Sequence, residues 1–314
     1  MSFTLLAIFN VAVMFILIAA GSLSYRLKLT DYDGAKQFAN ILTNVVSPCL
    51  ILTSFQIDFD KSLAVKIAAV AVIAVLMHVV GIVLGKFAFR KVPYSSQCVY
   101  RHSSFMPNCG YMTLPLANAL LGNVGVIYIS IIIAVMNIFT WTYGLQLYSG
   151  ENAPISVKKA ILNPGVLSLF VAIPIFIFSV RFPPIINAPL KSIASINSPL
   201  AMITTGIFIA HTGVKSIFRD KYIYIVILLR QFLIPGITGA VMFLIMYLGG
   251  PVDNNVFMAS MLAAAAPVAV ASSMFAARCN ADVGLASNTM AASTLTYIFS
   301  ISVMVFLSSM VLGI

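Results

Sequence analysis

The sequence predicts an all-α polytopic membrane protein. Of its 314 residues, 61% are hydrophobic and only 8% are charged, and the mean hydropathy is +1.04. A soluble domain could not expose that much apolar surface, and a disordered chain would need the opposite composition. The net charge of +10 is spread thinly between apolar blocks, whereas nucleic-acid binding needs clustered basic residues. The composition therefore excludes a soluble globule and argues against a nucleic-acid partner.

Ten apolar blocks, each long enough to cross a bilayer core of roughly 30 Å, follow one another along the chain. Their approximate limits are 3–24, 36–57, 62–89, 95–121, 123–148, 158–181, 186–211, 220–248, 254–277 and 282–312. The first block lacks the basic start of a cleaved signal peptide and is interpreted as the first span. Because the polar joints are short, the function is expected to lie within the bilayer.

Lysine and arginine are distributed unequally between alternate loops. Thirteen fall on one side: Arg26, Lys28, Lys36, Lys86, Arg90, Lys91, Arg101, Lys158, Lys159, Lys215, Arg219, Lys221 and Arg278. Four fall on the other: Lys61, Lys66, Arg181 and Lys191. Cytoplasmic loops carry the basic excess, so both termini are predicted to lie outside a plasma (inner) membrane, with the basic loops facing anionic membrane lipid.

The two halves of the chain share landmarks in the same order. Asn44–Pro48 in the second span corresponds to Ser195–Pro199 in the seventh, and Pro107 in the fourth corresponds to Pro267 in the ninth. Five spans per half invert the second copy relative to the first. The sequence therefore predicts a 5+5 inverted repeat.

Helix-breaking residues lie at mid-depth in spans four and nine. Proline removes a backbone donor and clashes with the preceding turn, so both helices should unwind there. Unwound backbone within the bilayer is tolerated only where protein buries it or a wet cavity receives it. The matching breaks predict crossing helices with a central polar site, whose half-helix N-termini favour an anion. Simple packing kinks are the alternative interpretation.

The breaks supply the first candidate substrate-binding residues. They are Pro107, Asn108, Cys109, Gly110, Pro267, Val268 and Ala269. Asn108 is the first choice, because its amide can donate to an anionic oxygen or accept from a hydroxyl. Its alternative role is to cap the exposed half-helix.

The run from Pro107 to Leu116, followed by Gly122, resembles the fourth-span motif of the auxin efflux carrier family, which includes plant PIN-type carriers and bacterial malate or dicarboxylate permeases. Further landmarks agree in order: Asn44 to Pro48, Asn163 to Leu167, Pro199 with Gly206, Arg230 with Pro235, and Ala266 with Pro267. The resemblance implies scaffold helices in residues 1–61 and 151–212 and transport helices in 62–150 and 213–314. It also implies elevator-type alternating access and a homodimer formed through the scaffold helices.

If the family arrangement holds, further polar residues face the crossing. These candidates are Asn44, Ser47, Thr53, Asn197 and Thr204. Hydrogen bonding between helices is the competing role for each of them. Arg230, about ten residues into span eight, either supplies field for an anion or bonds carbonyls freed at a helix end.

All eight acidic residues lie in or beside loops, so no carboxylate is available at mid-depth to bind a hard cation. No metal-ligand set and no nucleophile with a base is recognisable, so no metal, cofactor or enzymatic activity is expected. The prediction is a secondary transporter of a small organic anion, a carboxylate such as malate or an auxin-like acid. An anion channel and a sodium-coupled organic-acid symporter of the same architecture are the alternatives.

Overall fold

The computed structural model describes residues 3–149, 161–212, 220–279 and 281–313. Four of the basic residues used to predict the orientation lie outside this part: Lys158, Lys159, Lys215 and Arg219. The predicted boundary between residues 150 and 151 lies outside it as well.

Within these ranges the chain is helical almost throughout. The helices are α1 (Phe3–Arg26), α2 (Tyr32–Ile41), α3 (Ser47–Ser54), α4 (Lys61–Ala88), α5 (Tyr94–Phe105), α6 (Leu114–Phe139), α7 (Leu145–Ser149), α8 (Pro164–Ile177), α9 (Pro184–Ser195), α10 (Asn197–Thr212), α11 (Lys221–Leu228), α12 (Ile234–Tyr247), α13 (Asn254–Ala264), α14 (Ala271–Arg278) and α15 (Val283–Leu312). Four π-helical turns adjoin them: Leu42–Val46, Cys109–Thr113, Thr140–Gly144 and Leu229–Leu233.

Six helical runs among the described residues are long and apolar enough to cross a membrane. They are Leu5–Arg26, Lys61–Ala88, Cys109–Tyr148, Pro184–Thr212, Lys221–Tyr247 and Val283–Leu312, and the shorter apolar helix is Pro164–Ile177. The all-α polytopic membrane fold is confirmed at this level. The ten-span inverted repeat stays a prediction, since six long runs and one shorter apolar helix do not by themselves establish ten spans.

The run Cys109–Tyr148 covers 40 residues, more than one crossing needs. Gly122 divides it, with φ 61° and ψ −147°. A residue with a Cβ is strained at that φ, so glycine is the residue that permits the chain to turn here. The run therefore contains two helices that meet at Gly122, close to the predicted joint between spans four and five.

Three of the π-helical turns end two residues before a proline. The pairs are Leu42–Val46 with Pro48, Cys109–Thr113 with Pro115, and Leu229–Leu233 with Pro235. Proline has no N–H and its ring clashes with the carbonyl four residues earlier, and the wider π-turn accommodates both effects without ending the helix. All three turns contain predicted site residues. These residues therefore lie in the wider π-helical turns that the prolines favour.

Helices α1 and α10 cross at two glycines. A Cβ added at Gly21 would overlap the carbonyl oxygen of Ile203, and one added at Gly206 would overlap that of Ile18. Ser22 donates a hydrogen bond of 2.8 Å to the carbonyl of Gly206. Backbones approach this closely only where side chains are absent. Gly206 is therefore a packing requirement of the fold.

Five of the acidic residues predicted in or beside loops begin helices. Each accepts a hydrogen bond from a backbone N–H of the first turn: Asp31, Asp60, Asp220, Asp253 and Asp282. Such caps satisfy N–H groups that have no partner within the helix. These carboxylates thus have a structural use at the helix ends.

Asp253 also makes a 2.9 Å ion pair with Lys66, which joins the start of α13 to α4. Burial would raise the pKa of Asp253, but hydrogen bonds from Lys66 and from the N–H of Val256 hold it below its ordinary value of 3.8. A carboxylate with a lowered pKa in the folded state stabilises the fold above its unfolded pKa of about 3.9, and that stabilisation is lost as the pH falls through the folded pKa.

The melting temperature of the Asp253→Asn variant should therefore lie below that of the parent by a constant amount from pH 7 to about pH 5. Below about pH 4 the difference should shrink, because the parent carboxylate becomes neutral as well. Thermal unfolding in detergent across this range measures it. Asp33→Asn is the control, since Asp33 pairs with Lys36 on the surface, where such a pair contributes little. A difference that persists unchanged at pH 3 would contradict this account.

Candidate functional site

The two predicted interruptions are present, and they meet. Pro107 and Val268 form an antiparallel backbone bridge. The N–H of Asn108 donates to the carbonyl of Pro267 at 2.8 Å, and the N–H of Ala269 donates to the carbonyl of Met106 at 3.1 Å. We call this pairing of Met106–Asn108 with Pro267–Ala269 the crossover. At the crossover two broken helices exchange main-chain hydrogen bonds, as adjacent β-strands do.

Other freed backbone groups near the crossover also have partners. The N–H of Val268 donates to Oγ of Ser293 at 2.9 Å, and the Ser293 hydroxyl donates to the carbonyl of Met290. Gln231, fully buried beside Arg230, donates its amide to the carbonyl of Ser293. An unpaired backbone group buried in an apolar interior costs several kcal/mol, so these partners make the interruption tolerable.

Arg230 binds the end of α13. Its side chain is fully buried, its Nε donates to the carbonyl of Ala266 at 3.1 Å, and its Nη2 donates to that of Ala263 at 3.0 Å. The last carbonyls of a helix have no partner within the helix, and α13 ends at Ala264. Of the two roles predicted for Arg230, bonding of freed carbonyls is the one present in this geometry.

Asn108 caps the half-helix that leads into α6. Its carbonyl accepts hydrogen bonds from Met112 at 3.0 Å and from Thr113 at 3.3 Å. Its side chain is only 4% exposed, and Nδ2 has no hydrogen-bond partner among the described residues. Next to it, a Cβ added at Gly110 would meet nothing within 4 Å. The amide of Asn108 is thus a buried donor that the protein itself leaves unused, beside an open position.

Further buried donors around the crossover are unused in the described part of the chain. They are Nη1 of Arg230 and the hydroxyl of Tyr297. Tyr297 lies on α15, which packs against the π-helical turn that carries Arg230. Buried polar groups nearly always have a partner, which is either protein, ordered water or a ligand. This cluster of potential donors has the chemistry to receive water or an anion.

The remaining candidates form hydrogen bonds with groups other than Asn108. Ser47 and Asn197 bind each other, with Nδ2 of Asn197 donating to Oγ of Ser47 at 3.1 Å. Thr204 is buried, and its hydroxyl donates to a carbonyl of its own helix. Asn44 is exposed, and its amide donates to the carbonyl of Asn40. Thr53 likewise donates to carbonyls of its own turn, at Cys49 and Leu50. The structure gives none of these five candidates a hydrogen bond to Asn108, although α10 packs against the turn Cys109–Thr113.

Sequence reasoning missed several partners of the crossover. Met106 and Ser293 supply bonding groups, and Tyr111 approaches Thr43 with a hydroxyl distance of 3.4 Å. A polar residue within an apolar span was the available signal for Ser293 and Gln231, because such residues usually bond to a neighbouring helix. That signal does not identify which helix receives the bond.

Two cavities are lined by residues of the segments that follow the crossover, one beside α14 and one beside α6. On the α14 side, Val270 and Ser273 line a cavity of about 10 Å³ together with Tyr32 and Phe208. On the α6 side, a cavity of about 420 Å³ contains Asn118 and Thr53 in its lining. The first has room for about one water molecule, and the second is large enough for a small organic molecule.

The fold and the crossover together define a polytopic membrane protein built around two discontinuous, crossing helices. The family model described as membrane transport protein matches residues 6–158 and 151–305, nearly the whole chain. The chain belongs to this family, the auxin efflux carrier family, and the resemblance seen in the sequence is confirmed. Membership implies a membrane transporter and favours transport over catalysis. No match was found among curated proteins.

Proposed function

We propose that this protein is a secondary carrier that moves a small organic anion, a carboxylate such as malate or an auxin-like acid, across the plasma membrane. The observation that carries this proposal is the buried amide of Asn108, whose Nδ2 has no protein partner in the described residues and lies at the crossover. A carboxylate accepts hydrogen bonds only, so a site with unused donors suits it.

The donor set at the crossover favours an anion over a cation. Cys109, Gly110 and Tyr111 are the first residues after the Asn108 cap, where N–H groups have no carbonyl within the helix and the dipole is positive. The positive charge of the Arg230 guanidinium group, whose Nη1 has no partner in the described residues, adds a positive electrostatic potential nearby. In our proposal the carboxylate binds to the Asn108 amide and these N–H groups, while Arg230 holds the end of α13 in place.

The bound anion would cross the membrane with a moving part of the protein, as the resemblance to the family implies. We propose ten spans in a 5+5 inverted repeat, with residues 1–61 and 151–212 as a scaffold and 62–150 and 213–314 as the moving part. The contacts between α10 and the turn Cys109–Thr113 support this, since they bring the proposed scaffold against the binding site. A homodimer through the scaffold helices would keep that part fixed while the crossover moves in an elevator-like manner. Both termini would lie on the outer side of the plasma (inner) membrane.

Asn108→Ala tests the site. In proteoliposomes, the initial rate of carboxylate uptake below saturation should fall about tenfold or more, because a hydrogen bond to a charged group contributes about 1.5–3 kcal/mol. Asn10→Ala is the matched control, since the amide of Asn10 donates only to Leu6 of its own helix, and uptake should stay near the parent value. Equal uptake by parent and Asn108→Ala would place the substrate elsewhere.

The same vesicles separate the kinds of transporter. Saturable uptake, with counterflow accelerated by the same acid on the far side, is the expected result for a carrier. Flux that rises linearly with concentration would instead favour an anion channel. An absolute requirement for sodium would favour the symporter and would assign a cation site to carbonyl and hydroxyl oxygens, because no acidic residue is available at mid-depth.

A further inference from the structure

The cavity of about 420 Å³, here called the outer cavity, lies between α3 and α9 on one side and the corner of α6 on the other. Its lining is mostly polar although the chain is 61% hydrophobic. The lining residues are Leu50, Thr53, Ser54, Gln56, Ile57, Asn118, Asn123, Arg181, Asn187, Lys191, Ala194 and Ser195. Polar groups removed from water cost free energy unless they find hydrogen-bond partners, so water or a polar ligand is expected to occupy a polar cavity of this size.

The charges in the lining are all positive. Arg181 and Lys191 are both there, and they are two of the four basic residues assigned to the predicted outer face. Arg181 makes a 3.0 Å ion pair with Asp58, which is not part of the lining. Lys191 has no ion pair within the described residues. The outer cavity therefore presents net positive charge, and an anion is the complementary ligand.

The wall of the outer cavity combines a fixed part with unused hydrogen-bonding groups. Gln56 is 6% exposed, donates to Oδ1 of Asn187 at 3.2 Å and accepts from the N–H of Phe182 at 2.9 Å. These bonds fix one side of the cavity. By contrast, Asn118 and Asn123 are exposed, and their amides have no hydrogen bond to the rest of the described chain. They remain available to a ligand on the opposite side.

The outer cavity is separate from the crossover. Asn118 lies ten residues after Asn108, which corresponds to roughly 15 Å along a helix. None of the residues that line the outer cavity belongs to the crossover. An anion bound among Lys191 and the two asparagines would therefore not touch Asn108.

We propose that the outer cavity is a second anion site, which binds a small polar dicarboxylate or hydroxycarboxylate before it reaches the crossover. Lys191 without an ion pair, Arg181 paired at the rim with Asp58, and several amide and hydroxyl groups suit a carboxylate that carries a second polar group, either a carboxylate or a hydroxyl. No aromatic ring belongs to the lining, and its apolar members are Leu50, Ile57 and Ala194, so a flat aromatic acid has little surface to stack on. That the bound acid then proceeds to Asn108 rests on the proposed function, whereas its binding here does not.

Cysteine protection tests the outer cavity without a transport assay. Ser195→Cys, in the exposed part of the lining and in a Cys279→Ser background, provides a reporter for a charged maleimide, since Cys49, Cys98 and Cys109 are buried. Succinate is the probe. We expect it to slow labelling several-fold in purified protein, and to do so equally in the Asn108→Ala variant.

Variants of Lys191 decide the outcome. Lys191→Gln should abolish protection, and Lys191→Arg should retain it, which also shows that the position tolerates change without loss of fold. Lys61→Gln, on the same predicted face but outside the lining, should leave protection intact. Protection that survives Lys191→Gln, or that disappears only with Asn108→Ala, would overturn the proposal, as would stronger protection by indole-3-acetate than by succinate. Protection without uptake in vesicles would refute the proposed function and leave this site standing.

Discussion

Replacing Arg230 by methionine should abolish transport and lower the melting temperature in detergent by about 5–10 °C. The substitution removes two hydrogen bonds from a buried charged group to the carbonyls of Ala263 and Ala266, each of the kind that contributes about 1.5–3 kcal/mol. It also leaves both carbonyls buried without their arginine partner. The end of α13 should then move, and the crossover with it, because Pro267 follows directly on Ala266.

We call the two hydrogen bonds from Arg230 to the carbonyls of Ala263 and Ala266 the clamp. The Arg230→Lys variant distinguishes the clamp from a purely electrostatic role of the positive charge. Lysine restores the charge but not the planar fork that reaches two carbonyls at once. If the clamp matters, this variant should remain well below the parent in melting temperature and in uptake. Recovery of both by lysine would show that charge alone is needed. A melting temperature unchanged in Arg230→Met would contradict the clamp altogether.

Gly206→Val should separate α1 from α10. The added Cβ would overlap the carbonyl oxygen of Ile18, which belongs to backbone and cannot rotate away. Overpacking of this kind typically costs 1–3 kcal/mol, and about 3 kcal/mol is expected here because no flexible side chain can yield. Thermal unfolding in detergent and the monodisperse fraction after purification measure the effect.

Gly236→Ala is the matched control for that variant. Gly236 also lies within a helix, α12, but a Cβ at this position would meet nothing within 4 Å. Alanine should therefore leave the melting temperature unchanged or raise it slightly, because it is the better helix former. Equal losses for Gly206→Val and Gly236→Ala would show that the α1–α10 contact does not set the effect, because no close backbone lies at Gly236.

The interruptions of the two broken helices could be predicted from the sequence because proline acts locally. Pro107 and Pro267 each disrupt the helix in which they lie, whatever surrounds them. The partners of the freed groups could not be predicted in the same way. Ser293 is some 25 residues from Val268, and only the folded chain brings its hydroxyl to that N–H. Arg230 is an intermediate case. Its position within the eighth predicted span predicts that it is buried, but the sequence does not predict which carbonyls it binds.

The outer cavity illustrates a second limit of sequence reasoning. Counting loops assigns Lys191 and Arg181 to the predicted outer face, but no local pattern marks Asn118 as a binding residue. Their convergence depends on how α9 and the corner at Gly122 meet, which no local pattern encodes. Conversely, Asn44 was expected at the crossing because of its place in a motif, and the structure leaves it exposed and bonded within its own helix.

The bridge between Pro107 and Val268 has a consequence for how such a carrier can diversify. It is made by main-chain atoms, so the join does not depend on which side chains flank it. Substitutions at Val268 or Ala269 can change the shape of the surrounding surface while the two chain segments stay tied. Selection can thus alter the surface at the centre of the protein without dismantling the backbone pairing that holds the two segments together.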